Sequence, residues 1–139
     1  MSNKTLRFLI AEGEHLQRIK IEKMLNQLGY YRIAPLSSFD EVQALTRSNG
    51  VTFDLLIINT ALMRGHPIDL LKYCRENLMI RHALIYDGEC AQRSVMPVSA
   101  SQTLHLSLSQ SPDFNALCRC LETLDPAAMA RVAGMSPTR

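Results

Sequence analysis

No apolar run in this chain approaches the ~20 residues that a helix needs to cross a bilayer, so no membrane partner is expected. Charge of neither sign dominates. Fifteen Lys and Arg stand against thirteen Asp and Glu, a net charge of +2 at pH 7. The basic residues are scattered rather than striped, which leaves no case for nucleic acid. The four cysteines, Cys74, Cys90, Cys118 and Cys120, form no Cys-x-x-Cys pair. Cys118 and Cys120 point to different sides of a helical pattern, and free thiols in a reducing cytosol are the expectation. The four histidines are equally dispersed. His66 has no second His or Cys at ligand spacing, so no metal is expected. Met1-Ser2-Asn3-Lys4-Thr5 leads into a short apolar run with no small-residue cleavage site, so the expectation is a cytoplasmic protein with no secretory signal.

What is present is an ordinary globular composition. The chain has 139 residues, 47% apolar and 20% charged, enough for one domain with a sizeable core. Leu6 to Ala11 reads as a first strand, followed by the loop Glu12-Gly13-Glu14-His15. Leu16, Ile19, Met24, Leu25 and Leu28 recur at helical spacing up to Gly29, a good helix C-terminal residue. Tyr30 to Leu36 reads as a second strand, with Pro35 marking an edge. Ser38 or Asp40 caps a helix carrying Val42, Ala44 and Leu45, closed by Asn49-Gly50. Phe53 to Ile58 is a third strand. Ile68 to Leu78 is a helix with Leu70, Leu71, Cys74 and Leu78 on one side. His82 to Tyr86 is a fourth strand with Asp87-Gly88 as its exit turn. A short helix is expected over about Cys90 to Met96, limited by Pro97. Leu104, Leu106 and Leu108 alternate with polar residues as a fifth strand. Ser111-Pro112-Asp113 starts a last helix carrying Phe114, Leu117, Leu121 and Leu124. The domain is expected over residues 1–125, with 126–139 as a C-terminal tail. Strand and helix alternate five times, which predicts an α/β fold: a single five-stranded parallel sheet with helices on both faces.

The most apolar stretch, Leu55-Leu56-Ile57-Ile58, ends at Asn59 and opens onto Thr60-Ala61-Leu62-Met63-Arg64-Gly65-His66-Pro67. A run of this kind reads as a strand buried on both faces. Ligands and chemistry in open parallel sheets gather just beyond the carboxyl ends of strands, which is where Asn59 stands. Read for local structure alone, Asn59 caps the loop by accepting backbone N–H bonds. Asp87 is then the N-cap of a short following helix. Glu12 and Glu14 are solvated carboxylates near the first helix, and His66 is an exposed loop histidine.

Phe8-Leu9-Ile10-Ala11-Glu12, the distance from Glu12 to Gly29, and the third strand ending at Asn59 resemble a response-regulator receiver domain over about residues 6 to 125. That resemblance implies a doubly wound sheet of flavodoxin-like order 2-1-3-4-5. It also implies a pocket in which two adjacent acidic residues hold Mg²⁺ and an aspartate accepts a phosphoryl group. Here the acidic pair is Glu12 and Gly13, the acceptor is Asn59, and Asp87 replaces a small hydroxyl residue. Leu62-Met63 stand where a Met-Pro pair is usual, and Pro67 where a glycine is usual. Ser109-Gln110-Ser111 occupies the place of a Lys-Pro pair, with no lysine there. The losses act together. An acyl phosphate needs a carboxylate oxygen, which an amide does not supply. Mg²⁺ wants several hard, preferably charged oxygens. Phosphoryl transfer relies on positive charge around the equatorial oxygens, and Asp87 brings the opposite sign.

These readings describe a degenerate receiver: a regulatory module rather than an enzyme, with no cofactor. Its expected partner is a protein: a histidine kinase, an output protein or a second copy. The face expected to bind it carries Val95, Met96 and Val98 around Pro97. A receiver switched by a small ligand in the former phosphorylation pocket is the alternative. A flavodoxin-like enzyme is less well supported, since Glu12-Gly13-Glu14-His15 is too acidic to cradle a phosphate.

Overall fold

The computed structural model describes residues 5–47, 51–87, 95–97, 105–108 and 112–125, with 95–97 and 105–108 given by their backbone alone. Continuous apolar runs form the centre. Every residue of Phe8–Ala11 (β1), Leu55–Asn59 (β3) and Ala83–Tyr86 (β4) is buried. Ile33–Leu36 (β2) is only half-buried, as its edge position and Pro35 require. These strands are parallel, in the order β2-β1-β3-β4. Beyond β4 the backbone of Val95–Pro97 (β5) and His105–Leu108 (β6) extends the sheet. β6 pairs parallel with β4, and β5 pairs antiparallel with β6.

Strand alternation divides the core into two layers. Phe8, Ile10, Leu55, Ile57, Leu84 and Tyr86 face His15–Gln27 (α1) and Phe114–Leu124 (α4), which bring Ile21, Leu25, Leu117, Cys120 and Leu121. Leu9, Leu56, Ile58, Ala83 and Ile85 face Phe39–Leu45 (α2) and Leu70–Glu76 (α3), which bring Phe39, Val42, Leu70 and Cys74. Helices therefore cover both faces. Burial pushes the Cys74 and Cys120 thiols up to about 12, so both sit as neutral packing groups.

Helix ends follow local chemistry. Ser38 and Glu41 form a capping box at α2. Glu41 accepts from the Ser37 and Ser38 amides at 2.8 and 3.2 Å, which holds its carboxyl below the usual range. Asp113 caps α4 by accepting from the Ala116 amide at 2.8 Å. Gly29, at φ 97°, closes α1: its N–H bonds Asn26 and the Tyr30 N–H bonds Leu25, a Schellman pair. The buried Tyr30 hydroxyl donates to Asp125 at 2.6 Å, tying the approach to β2 to the end of α4.

Several expectations need correction. Leu16 (77% exposed) and Leu78 (85%) are not core residues, and Phe114 lies at the surface. α3 ends at Glu76, so Leu78 falls on the connection to β4. The burying stripe of α1 is Ile21, Leu25 and Leu28. Ala44 is exposed; α2 is anchored by Val42, as expected, together with Phe39. Val95 and Met96 lie on a strand rather than at the end of a helix. The rest of that expected helix, Asn49-Gly50, Val98, Ser109, Gln110 and the tail 126–139 lie outside the described residues. Among the described residues, no helix is long and apolar enough to cross a membrane.

Candidate functional site

Register builds the site. Ala11 pairs with Ile58, and Asn59 with Tyr86. Glu12, Asn59 and Tyr86 therefore form one row across β1, β3 and β4, at the carboxyl edge and on the α1/α4 side. Neighbouring strands run about 4.8 Å apart, so side chains in one row meet. All are buried: Glu12 is 3% exposed, Asn59 8% and Tyr86 0%.

Glu12 is the acceptor at the centre. Its Oε1 takes the Asn59 amide N–H at 3.0 Å and also the Tyr86 hydroxyl. Its Oε2 takes the Glu14 backbone N–H at 2.9 Å. The Arg18 guanidinium lies over the same loop, donating to the Glu12 carbonyl at 2.7 Å and contacting the His15 ring nitrogen at 2.9 Å. A buried carboxylate is costly unless it is hydrogen-bonded, and here donors converge on both oxygens. Burial, the bond to Glu12 and the negative charge of Glu12 and Glu14 push the Tyr86 phenol well above its ordinary range. It stays neutral and remains a donor.

Asn59 works with both ends of its amide. Its Nδ2 serves Glu12, while its Oδ1 accepts from the Ala61 N–H at 2.9 Å and caps the short 3₁₀ turn Thr60–Met63. The capping expected of it is present, together with a second bond that sequence reading missed. The turn places Leu62 over Gly13: a Cβ on Gly13 would come 3.3 Å from a Leu62 methyl and 3.8 Å from the Ser37 carbonyl. An apolar side chain thus lies against Gly13.

The expected residues fare differently. Glu12 and Asn59 are brought into contact, and Gly13 lies beside them under Leu62. Asp87 is half-buried at the exit of β4. Glu12 is not a solvated loop carboxylate; Glu14 is exposed. His66 is half-buried with its ring edge-on to Phe39 at 5.2 Å. Tyr86 is not singled out by the sequence because the receiver resemblance points one residue later, to Asp87. Matching the two apolar runs in parallel register would have placed it beside Asn59.

Mg²⁺ does not fit these donors. Glu12 already accepts hydrogen bonds on both oxygens, the Asn59 oxygen accepts from Ala61, and Gly13 has no side-chain ligand. Among the described residues, no group of three His, Cys, Asp or Glu is placed to hold a metal ion. Comparison with protein-family models, curated proteins and solved structures finds no match.

Proposed function

We propose that this chain is a phosphorylation-independent regulatory interaction module, a degenerate receiver whose output does not depend on a phosphoryl signal. Strand β6 would be the fifth parallel strand of a doubly wound, flavodoxin-like sheet, with β5 added outside it. The observation that carries the reading is the row Glu12–Asn59–Tyr86. It stands at the edge where a receiver would hold metal and phosphate, and its polar atoms bond to one another. Asn59 supplies no nucleophile for acyl phosphate, and Tyr86 is a neutral phenol with no positive charge beside it in the row. Against a ligand-switched pocket, a small molecule entering here would have to displace these bonds and the Leu62 side chain. Against an enzyme, the row offers a bound carboxylate with no nucleophile at an open cleft.

Such a module acts by docking, and the segment carrying Val95, Met96 and Val98 is the proposed face for an output protein, a histidine kinase or a second copy. Val95→Asp with Val98→Asp tests it. The pair should abolish self-association, or capture of a partner from the source cell, while the circular dichroism and melting curve stay nearly unchanged. Capture should be the same with and without acetyl phosphate. A double variant that unfolds would place these residues in the core and the interface elsewhere.

A further inference from the structure

The apolar sheet ends in a second polar row at its amino edge. Phe8 pairs with Ile33 and Leu55, and Leu56 with Ala83. The row before the strands therefore runs Arg32, Arg7, Asp54, Arg81. Its backbone is continuous with the sheet: the Phe8 N–H bonds the Arg32 carbonyl at 2.9 Å and the Asp54 N–H bonds the Arg7 carbonyl at 2.8 Å. At about 4.8 Å per strand the row spans roughly 14 Å. Its parity matches Leu9, Leu56 and Ala83, which places it on the α2/α3 side, opposite to Glu12. Asp54 accepts from the Arg7 backbone N–H at 2.8 Å and pairs with Arg81 at 3.6 Å. Arg7 and Arg32 are exposed and have no ion-pair partner among the described residues.

Beside this row lies a groove of about 360 Å³ lined by Thr46, Tyr73, Glu76, Asn77, Leu78 and Met79. It abuts the row directly, since the Phe53 N–H bonds the Met79 carbonyl at 2.7 Å and the Arg81 N–H bonds the Phe53 carbonyl at 2.9 Å. Leu78 stands 85% exposed on its wall. Arg47 and Arg75, both exposed, follow Thr46 and precede Glu76. Leu78 therefore stands exposed at a groove that adjoins a row carrying Arg7 and Arg32, neither with an ion-pair partner among the described residues, on a chain whose net charge is only +2.

We propose that this edge docks an acidic, leucine-bearing segment of a partner protein. The apolar side chain packs on Leu78 and Met79 in the groove, and flanking carboxylates take the Arg7 and Arg32 guanidinium groups in forked pairs. Charge complementarity selects this occupant. A nucleic acid would need an unbroken track of positive charge, and Asp54 interrupts the row and engages Arg81. The surface is remote from the Glu12 row and does not rest on the receiver reading.

Fluorescence anisotropy with the full chain tests it. The probe is a labelled glutamate-rich peptide carrying a central Leu-Leu pair, with a Ser-Ser version and oligothymidine as comparisons. The Leu-Leu peptide should bind saturably. Arg7→Glu with Arg32→Glu should weaken it by about tenfold or more, and Leu78→Ser should bring it down to the level of the Ser-Ser peptide. If the charge reversal lowers the melting temperature, Arg7→Gln with Arg32→Gln gives the same loss on a folded chain. No saturable binding up to about 1 mM overturns the proposal, as does binding indifferent to the arginine and Leu78 variants. Oligothymidine binding more tightly than the peptide, and losing it to the same arginine changes, overturns it in favour of a nucleic-acid surface.

Discussion

Asn59→Asp lowers stability by about 3 kcal/mol at neutral pH and does not create a phosphorylation site. The Asn59 amide donates to Glu12 Oε1 at 3.0 Å inside a buried row. The substitution replaces that donor with a second carboxylate at the same distance. Like charges at such range raise the pKa of the introduced carboxyl above its unfolded value of about 3.9. The folded state then binds protons more tightly than the unfolded chain, so stability falls as pH rises between the two pKa values. The deficit is full above the folded pKa and disappears as pH drops towards about 4, where a proton shared between the carboxyls restores a hydrogen bond. Thermal melting across pH reads this. A fall of about 10 °C at pH 7 that shrinks in acid is expected. A variant as stable as the parent at pH 7 would mean that Glu12 and Asn59 are not in contact, and one that takes up phosphate readily would mean that this edge keeps a working phosphorylation pocket.

Tyr86→Phe costs about 2 kcal/mol with no change in ring packing. The phenol is fully buried and its hydroxyl serves Glu12. Removing it takes one of the side-chain donors from a buried carboxylate while every apolar contact of the ring remains. The cost should shrink in a Glu12→Gln background, where the acceptor is uncharged, and the double-mutant cycle isolates the bond. Additive single effects would place the hydroxyl elsewhere.

How much of this was legible in the sequence depended on which force fixed each element. Runs such as Leu55-Leu56-Ile57-Ile58 announce strands buried on both faces, and the row position of Asn59 follows from where that run stops. Ser38, Asp69 and Asp113 stand at helix starts and cap them. Apolar character alone misled at Leu16, Leu78 and Phe114. Each continues a helical apolar pattern, but α1 and α4 begin near the carboxyl edge of the sheet, beyond the strands that would bury their first turns, and α3 stops before Leu78. Tyr86 was hidden for a different reason. Its ring fits any apolar strand, and only the cross-strand register makes its hydroxyl part of the Glu12 row. Leu62 likewise becomes meaningful only once the turn after Asn59 lays it on Gly13. Neighbours in sequence carry caps and strands; neighbours across strands carry the site.

Phosphate uptake at this edge of the sheet separates a working phosphorylation pocket from a degenerate one. The most direct measurement is intact mass after incubation of the native chain with acetyl phosphate and Mg²⁺. The account predicts an unchanged mass, because the donors that would meet a phosphoryl group already bond to Glu12 and the acceptor is the Asn59 amide. A stoichiometric, acid-stable and base-labile phosphoryl adduct on any carboxylate, Asp87 being the first to map, would contradict it.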